Sequence, residues 1–246
     1  MLHRFETIDS TSTYLKSLAD AGAEAGTAVV ALSQTGGRGR LGRSFHSPSG
    51  GLYLSYLLRP NCAPQKLMHL TCAAAVAACD AVEAACGFRP GIKWKNDLVF
   101  GKQKLGGILT ELGFEGGSLQ YAIIGIGINC TQKKEDFPTE LQTMATSLSS
   151  ATGHPVSREA LEHQLLTHLS RLQETLLSEK EALMQRYRAN CITLGQCISV
   201  VRGDECYHAA AIDLDDDGAL VVRTDDGQLR TVASGEVSIR GMYGYI

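Results

Sequence analysis

Ten residues in the middle of the chain, Leu119-Gln120-Tyr121-Ala122-Ile123-Ile124-Gly125-Ile126-Gly127-Ile128, carry no charge and read as a strand apolar enough to lie at the centre of a sheet. Short β segments with glycine punctuation precede it, near residues 91–94, 97–100 and 104–114. Further strands are expected near 2–7, 27–32 and 51–58, the last stopped by Pro60. Helices fall between them: one after the capping run Asp9-Ser10-Thr11-Ser12, to about residue 21, and a long Ala-rich one near 65–86. Another starts near Ser157, where Leu161, Leu165, Leu169, Leu172 and Leu176 recur every three or four residues. Regular βαβ units are missing, so the fold class is α+β, a mixed sheet with packed helices, and not a regular Rossmann fold.

Past Asn190 the text is all-β, with tight turns at Asp217-Gly218, Asp226-Gly227 and Ser234-Gly235. About fifty-five residues remain there, enough for a small barrel leaning on a larger neighbour. Two domains are therefore expected, 1–190 and 191–246. The 246 residues, 44% hydrophobic and 20% charged, can bury a sizeable core. With 23 basic against 26 acidic residues, a surface that clings to nucleic acid as a whole is excluded, but a local basic patch is not.

No apolar run reads as the roughly 18 residues of a membrane span; the stretch 67–86 comes nearest, interrupted by Asp80 and Glu83. The first residues, Met1 to Glu6, contain no secretory apolar region. No membrane partner and a cytoplasmic location are the expectation. Eight cysteines form no C-x-x-C pair. Cys72, Cys79 and Cys86 share a helical stripe, but each step of seven residues rises roughly 10 Å along the helix, which suits small buried side chains better than a metal site. His163 and His168, five residues apart, face different ways.

The most chemically loaded segment is Gly36-Gly37-Arg38-Gly39-Arg40-Leu41-Gly42-Arg43. Glycines let backbone approach a ligand, and the arginines offer forked donors for phosphate or carboxylate. A solvated hairpin tip and an Arg-Gly segment contacting RNA phosphates are the competing readings. It is not a Walker A loop, for the Lys-Ser/Thr pair is absent. A second feature is Lys93-Trp94-Lys95-Asn96-Asp97, followed by Lys104-Leu105-Gly106-Gly107. Read alone, its lysines are ordinary solubilising residues of a hairpin. Yet Trp94 is the sole tryptophan, set among polar neighbours, and paired glycines inside a strand often mark close approach by a ligand. Arg38, Arg40 and a lysine in one pocket would suit activation of a carboxylate by a nucleotide, in which two repelling anions must be brought together.

Taken together, Asp9-Ser10-Thr11-Ser12, Gln34 to Phe45, Lys93 to Leu109, Gly125 to Asn129 and Gly235-Glu236-Val237-Ser238 resemble the biotin–protein ligases, over nearly the whole chain. The resemblance implies a catalytic domain of the class II aminoacyl-tRNA-synthetase and biotin-ligase type with a small C-terminal barrel of Src-homology-3-like shape. It implies ATP and biotin as substrates with Mg2+, formation of biotinyl-5′-AMP, and transfer of biotin to a lysine of a biotin carboxyl carrier protein. The alternatives are a lipoyl or octanoyl transferase, and an RNA-binding module. By resemblance Ser10, Thr11, Ser12 and Gln34 bind biotin, with Gly106 and Gly107 offering backbone; Arg38, Gly39 and Arg40 form the loop closing over biotin and adenylate. Lys104 bridges carboxylate and α-phosphate. Lys93, Asn96, Phe45 and Asn129 contact the nucleotide, and Asp97 is catalytic and faces the metal. Three positions depart from the family: Lys95 stands for its usual proline, Phe45 for tryptophan, Gly36 for alanine. The first strand begins too near Met1 for a DNA-reading module, so no DNA partner is expected; the family contains monomers and homodimers.

Overall fold

The structure, a computed structural model, describes residues 1–202, 205–233 and 237–241. The large domain is a seven-stranded sheet ordered β1-β2-β3-β7-β6-β5-β4, built from β1 (Leu2–Ile8), β2 (Ala28–Gln34), β3 (Gly51–Leu58), β4 (Gly91–Lys93), β5 (Asp97–Phe100), β6 (Gln103–Glu115) and β7 (Ser118–Asn129). The apolar run is β7, fourth of the seven. Only β1 and β2 pair in parallel; α1 (Thr11–Asp20) makes the crossover between them.

The period of two along β7 sorts its side chains. Ala122, Ile124, Ile126 and Ile128 join the main core with α2 (Leu70–Cys86) and α4 (Arg158–Thr175). Tyr121 and Ile123 join a smaller cluster under α1, with Leu15, Ala19, Val29 and Leu57. Further along that second face come Gly125 and Gly127, which contribute no side chain of their own. Helix coverage at one end and glycines at the other leave a hollow over the middle of the sheet.

Side chains in α2 are mostly small and eleven of its seventeen residues are buried, including Cys72, Cys79 and six alanines from Ala73 to Ala81, which lets the helix lie close to the sheet and to α4. By length and composition the stretch Pro64–Cys86 passes for a membrane span, with mean hydropathy 1.4, contrary to the expectation that no segment does. Its apolar surface is spent inside the protein, with 72% of that window buried. Ser157 Oγ caps α4 by accepting from the Ala160 amide, and Leu161, Leu165, Leu169 and Leu172 form its buried face, as the leucine spacing requires. Two helices were not expected: α3 (Leu148–Thr152), too short to show a period, and α5 (Lys180–Asn190), which a break after Leu176 separates from α4.

The C-terminal part is a five-stranded antiparallel sheet ordered β11-β10-β9-β8-β12, with β8 (Cys197–Arg202), β9 (Glu205–Leu214), β10 (Leu220–Thr224), β11 (Leu229–Val232) and β12 (Val237–Gly241). The expected barrel is not closed: among the described residues β11 and β12 are unpaired edges at opposite ends of the sheet. Four backbone hydrogen-bonded ladders replace it, leaning on α5 through the Arg188 guanidinium, which donates to Leu214 O at 2.8 Å. The turn at Ser234-Gly235 and residue Glu236 lie outside the described residues.

Candidate active site

The hollow over the sheet is a cavity of about 260 Å³. Its floor follows from strand register: Gly107 pairs with Gly127 and Leu109 with Gly125, while Tyr53 and Ser55 of β3 oppose Gly127 and Gly125 from the other side. A Cβ on Gly127 would lie 2.5 Å from Phe45 Cε1, so the Phe45 ring rests directly on that glycine. Lys104 Nζ stands 5.7 Å from the ring centroid, within cation–π range.

One end of the cavity is polar and prearranged. Parallel pairing of β1 and β2 sends both of their outgoing loops to the same place, with Ile8 beside Gln34. Ser10 and Thr11 follow at the start of α1, where Ser10 Oγ caps the helix by accepting from the Thr13 amide. The Gln34 Oε1 accepts from Thr11 N at 2.8 Å and from Thr11 Oγ1 at 3.1 Å, and its Nε2 donates to Ser47 Oγ. Ser12 Oγ lies 2.9 Å from Ser55 Oγ. All three hydroxyl residues are buried.

The other end is cationic. Residues 36–45 fold as a hairpin, with Gly39 N donating to Arg43 O and Phe45 N to Gly37 O, tipped by a tight turn at Arg40–Gly42. Arg40 Nη1 donates to Asn96 Oδ1 at 3.0 Å; Asn96 Nδ2 in turn reaches Asp97 Oδ1 and Ile108 O. Asp97 holds Lys104 Nζ at 2.7 Å. Burial pulls the Arg40 guanidinium below the ordinary arginine value, and the Asp97 charge opposes that fall. Arg38 pairs with Glu111 at 3.1 Å. Lys93 is buried at the end of β4 and lines the cavity.

Thus Ser10, Thr11, Ser12, Gln34, Arg38, Gly39, Arg40, Phe45, Lys93, Asn96, Asp97, Lys104 and Gly107 all line one cavity. Two candidates do not. Gly106 faces away, where a Cβ would press on the Gly127 backbone, so this glycine serves strand approach. Asn129 lies at the end of β7, donating to Thr146 O at 3.0 Å. Sequence reasoning passed over Glu111, Tyr53 and the floor role of Gly125 and Gly127, although the last two stand two apart in a strand and so share a face.

Residues 4–129, half of the chain, match the biotin/lipoate A/B protein ligase family, and residues 193–240 match the biotin protein ligase C-terminal domain. The chain belongs to the biotin/lipoate A/B protein ligase family. A biotin--[acetyl-CoA-carboxylase] ligase of Paracoccus denitrificans is 32% identical over 237 residues, covering 95% of this chain and 98% of that protein. The bifunctional ligase/repressor BirA of Bacillus spizizenii is 36% identical over 236 residues, 95% of this chain and 72% of the relative. A structure of the Aquifex aeolicus biotin protein ligase in complex with biotin and ATP superposes with a TM-score of 0.82 at 30% identity, covering 98% of both chains. Against this ligase background the three departures have plain local settings. Lys95 is buried, with Nζ donating to Met68 O at 3.3 Å. Phe45 keeps an aromatic face on the cavity floor. At Gly36 an alanine Cβ would sit 3.3 Å from Asp9 O, a close contact that glycine relieves.

Proposed function

We propose that this protein activates biotin with ATP and transfers the biotinyl group to a lysine of a biotin carboxyl carrier protein. The observation that carries the reading is the convergence of Arg38, Arg40 and Lys104, from two different elements, on a cavity whose far end presents hydroxyls and an amide. In the first step a biotin carboxylate oxygen attacks the α-phosphorus of ATP, the bond to the β-phosphate oxygen breaks, and pyrophosphate leaves. In the second the carrier lysine, having lost a proton, attacks the acyl carbon of biotinyl-5′-AMP, and AMP leaves.

Roles follow position. Ser10, Thr11 and Gln34 take the ureido ring, with Ser12 bracing them through Ser55. Arg38, Gly39 and Arg40 close over the adenylate, keeping water from the mixed anhydride. Lys104, oriented by Asp97, offsets the repulsion between carboxylate and α-phosphate. Phe45 stacks on the adenine, and Lys93 and Asn96 serve the nucleotide end. Mg2+ enters as part of the ATP substrate and offsets phosphate charge. Asp97, the one carboxylate lining the cavity among the described residues, would be its protein ligand, which fits an ion held largely by phosphate oxygens. Residues 1–190 form the catalytic domain, of class II synthetase type, and 191–246 the small Src-homology-3-like one; the end of α5 at Asn190 supports that boundary. Substrates of this kind and eight free cysteines support a cytoplasmic location.

The test is transfer of labelled biotin to a purified apo carrier domain, with ATP omitted as control and lipoate run in parallel. ATP-dependent labelling with biotin supports the reading. Labelling by lipoate alone, or none, refutes it. A polar cavity end suits a ureido ring and would be wasted on an aliphatic chain, which is why the lipoyl alternative is set aside.

A further inference from the structure

The turn between β9 and β10, residues 215–219, enters the large domain behind the cavity wall. Gly218 O accepts from Trp94 Nε1 at 2.9 Å; Trp94, 5% exposed, belongs to the main core and is also among the residues that line the cavity. Gly218 has φ +83, and a Cβ there would lie 2.5 Å from Cys72 Sγ in α2. Only glycine lets the turn reach this depth. Lys180 Nζ fastens the turn through Asp217 Oδ1 at 2.6 Å, and Asp215 Oδ1 closes it internally by accepting from Asp217 N and Ala219 N. Just downstream of Trp94, Asn96 holds Arg40 and Asp97 holds Lys104. One short path therefore joins the small sheet to Arg40 and Lys104, two of the cations assigned to the reaction.

We propose that Gly218 is a positioning residue: its carbonyl fixes the Trp94 indole, and thereby the Asn96–Asp97 pair that presents Arg40 and Lys104 to the substrates. This rests on the proposed biotin-activating reaction. A buried N–H facing a displaced carbonyl loses its partner, and the indole then shifts in its core site and takes the adjoining backbone with it. Because the effect passes through groups that act on charge in the transition state, it falls on turnover more than on substrate capture.

Trp94 is the sole tryptophan, so emission excited selectively at tryptophan reports the surroundings of this one indole. In Gly218→Ala the emission shifts to longer wavelength without substrates, and kcat for biotinyl-5′-AMP formation, followed by pyrophosphate release, falls about tenfold while KM for biotin stays within about threefold. Trp94→Phe removes the donor and gives a similar kcat loss. Adding Gly218→Ala to it costs nothing further, since both act through one contact. Should Gly218→Ala fail to fold, Lys180→Met loosens the same turn and shows the same emission shift with a smaller kcat loss. A folded turn variant with unshifted emission, an unchanged kcat, or an effect that multiplies with that of Trp94→Phe overturns the proposal. Wild-type protein that makes no biotinyl-5′-AMP refutes the reaction instead; the substrate-free emission shift is read independently of it.

Discussion

Replacing Gly127 with alanine tests how the cavity floor works. The added methyl carbon would stand 2.5, 3.0 and 3.2 Å from three carbons of the Phe45 ring. Ordinary contact between carbons is about 3.5 Å or more, so the ring must retreat by about 1 Å. The backbone of β7 cannot yield, because it is hydrogen-bonded on both sides to β3 and β6. Phe45 belongs to the surface hairpin, and the ring swings outward into the space over the floor, toward Lys104. Overpacking of this size costs about 1–3 kcal/mol, and about 1.4 kcal/mol is tenfold in an equilibrium constant. Strain released into the cavity appears as weaker nucleotide binding, so KM for ATP rises about tenfold. The melting temperature falls by less than about 4 °C, the shift expected for 1 kcal/mol in a chain of this size. Steady-state pyrophosphate release and a thermal melt measure the two quantities. Phe45→Leu supplies the control: with a smaller, more flexible side chain present, Gly127→Ala adds little to KM. Wild-type KM in Gly127→Ala, or a full additional loss in the double variant, refutes the steric account.

Lys104→Met should lower kcat for adenylate formation by about 10² to 10³, the usual loss on removing one stabilising group at a developing charge; single-turnover measurement showing less than about tenfold would remove Lys104 from that role. His69 is fully buried, donating Nε2–H to Leu176 O at 2.8 Å, and Nδ1 has no hydrogen-bond partner. Burial holds its folded value below 6.5, so the unfolded chain takes up the proton first, and stability, constant above that pH, declines as pH drops from 6.5 toward the folded value. His69→Gln flattens that decline in melts recorded between about pH 7.5 and 5.5, and an unchanged slope contradicts the assignment. Leu165→Ala, at a site with no exposure, should cost about 2–5 kcal/mol in urea unfolding; a loss below about 1 kcal/mol would mean that α4 is not closely packed.

The elements with strong local signals were legible in the sequence. β3 and β5 fall on the expected residues, β7 differs by one residue at each end, and the caps at Ser10 and Ser157 begin the helices they should. The break between α4 and α5 was not, because Leu, Glu and Lys continue through it with good helical propensity, and α5 has its own buried face at Leu183, Met184 and Tyr187. At the site, the charged loop and the lysine–tryptophan segment were visible as composition. Glu111 was invisible because its partner Arg38 is remote in sequence and meets it only through the hairpin fold. The split between Gly106 and Gly107 needed strand register, for adjacent residues in a strand face opposite sides.

The membrane-like character of α2 has a consequence for how the chain is made. Its cover, α4 and α5, is synthesised long after it, so during translation an alanine-rich rod waits unprotected beside an unfinished sheet. A polypeptide truncated ahead of residue 158 would leave the side of that rod facing away from the sheet permanently bare, and its first failing would be self-association or capture by chaperones, before any question of chemistry arose.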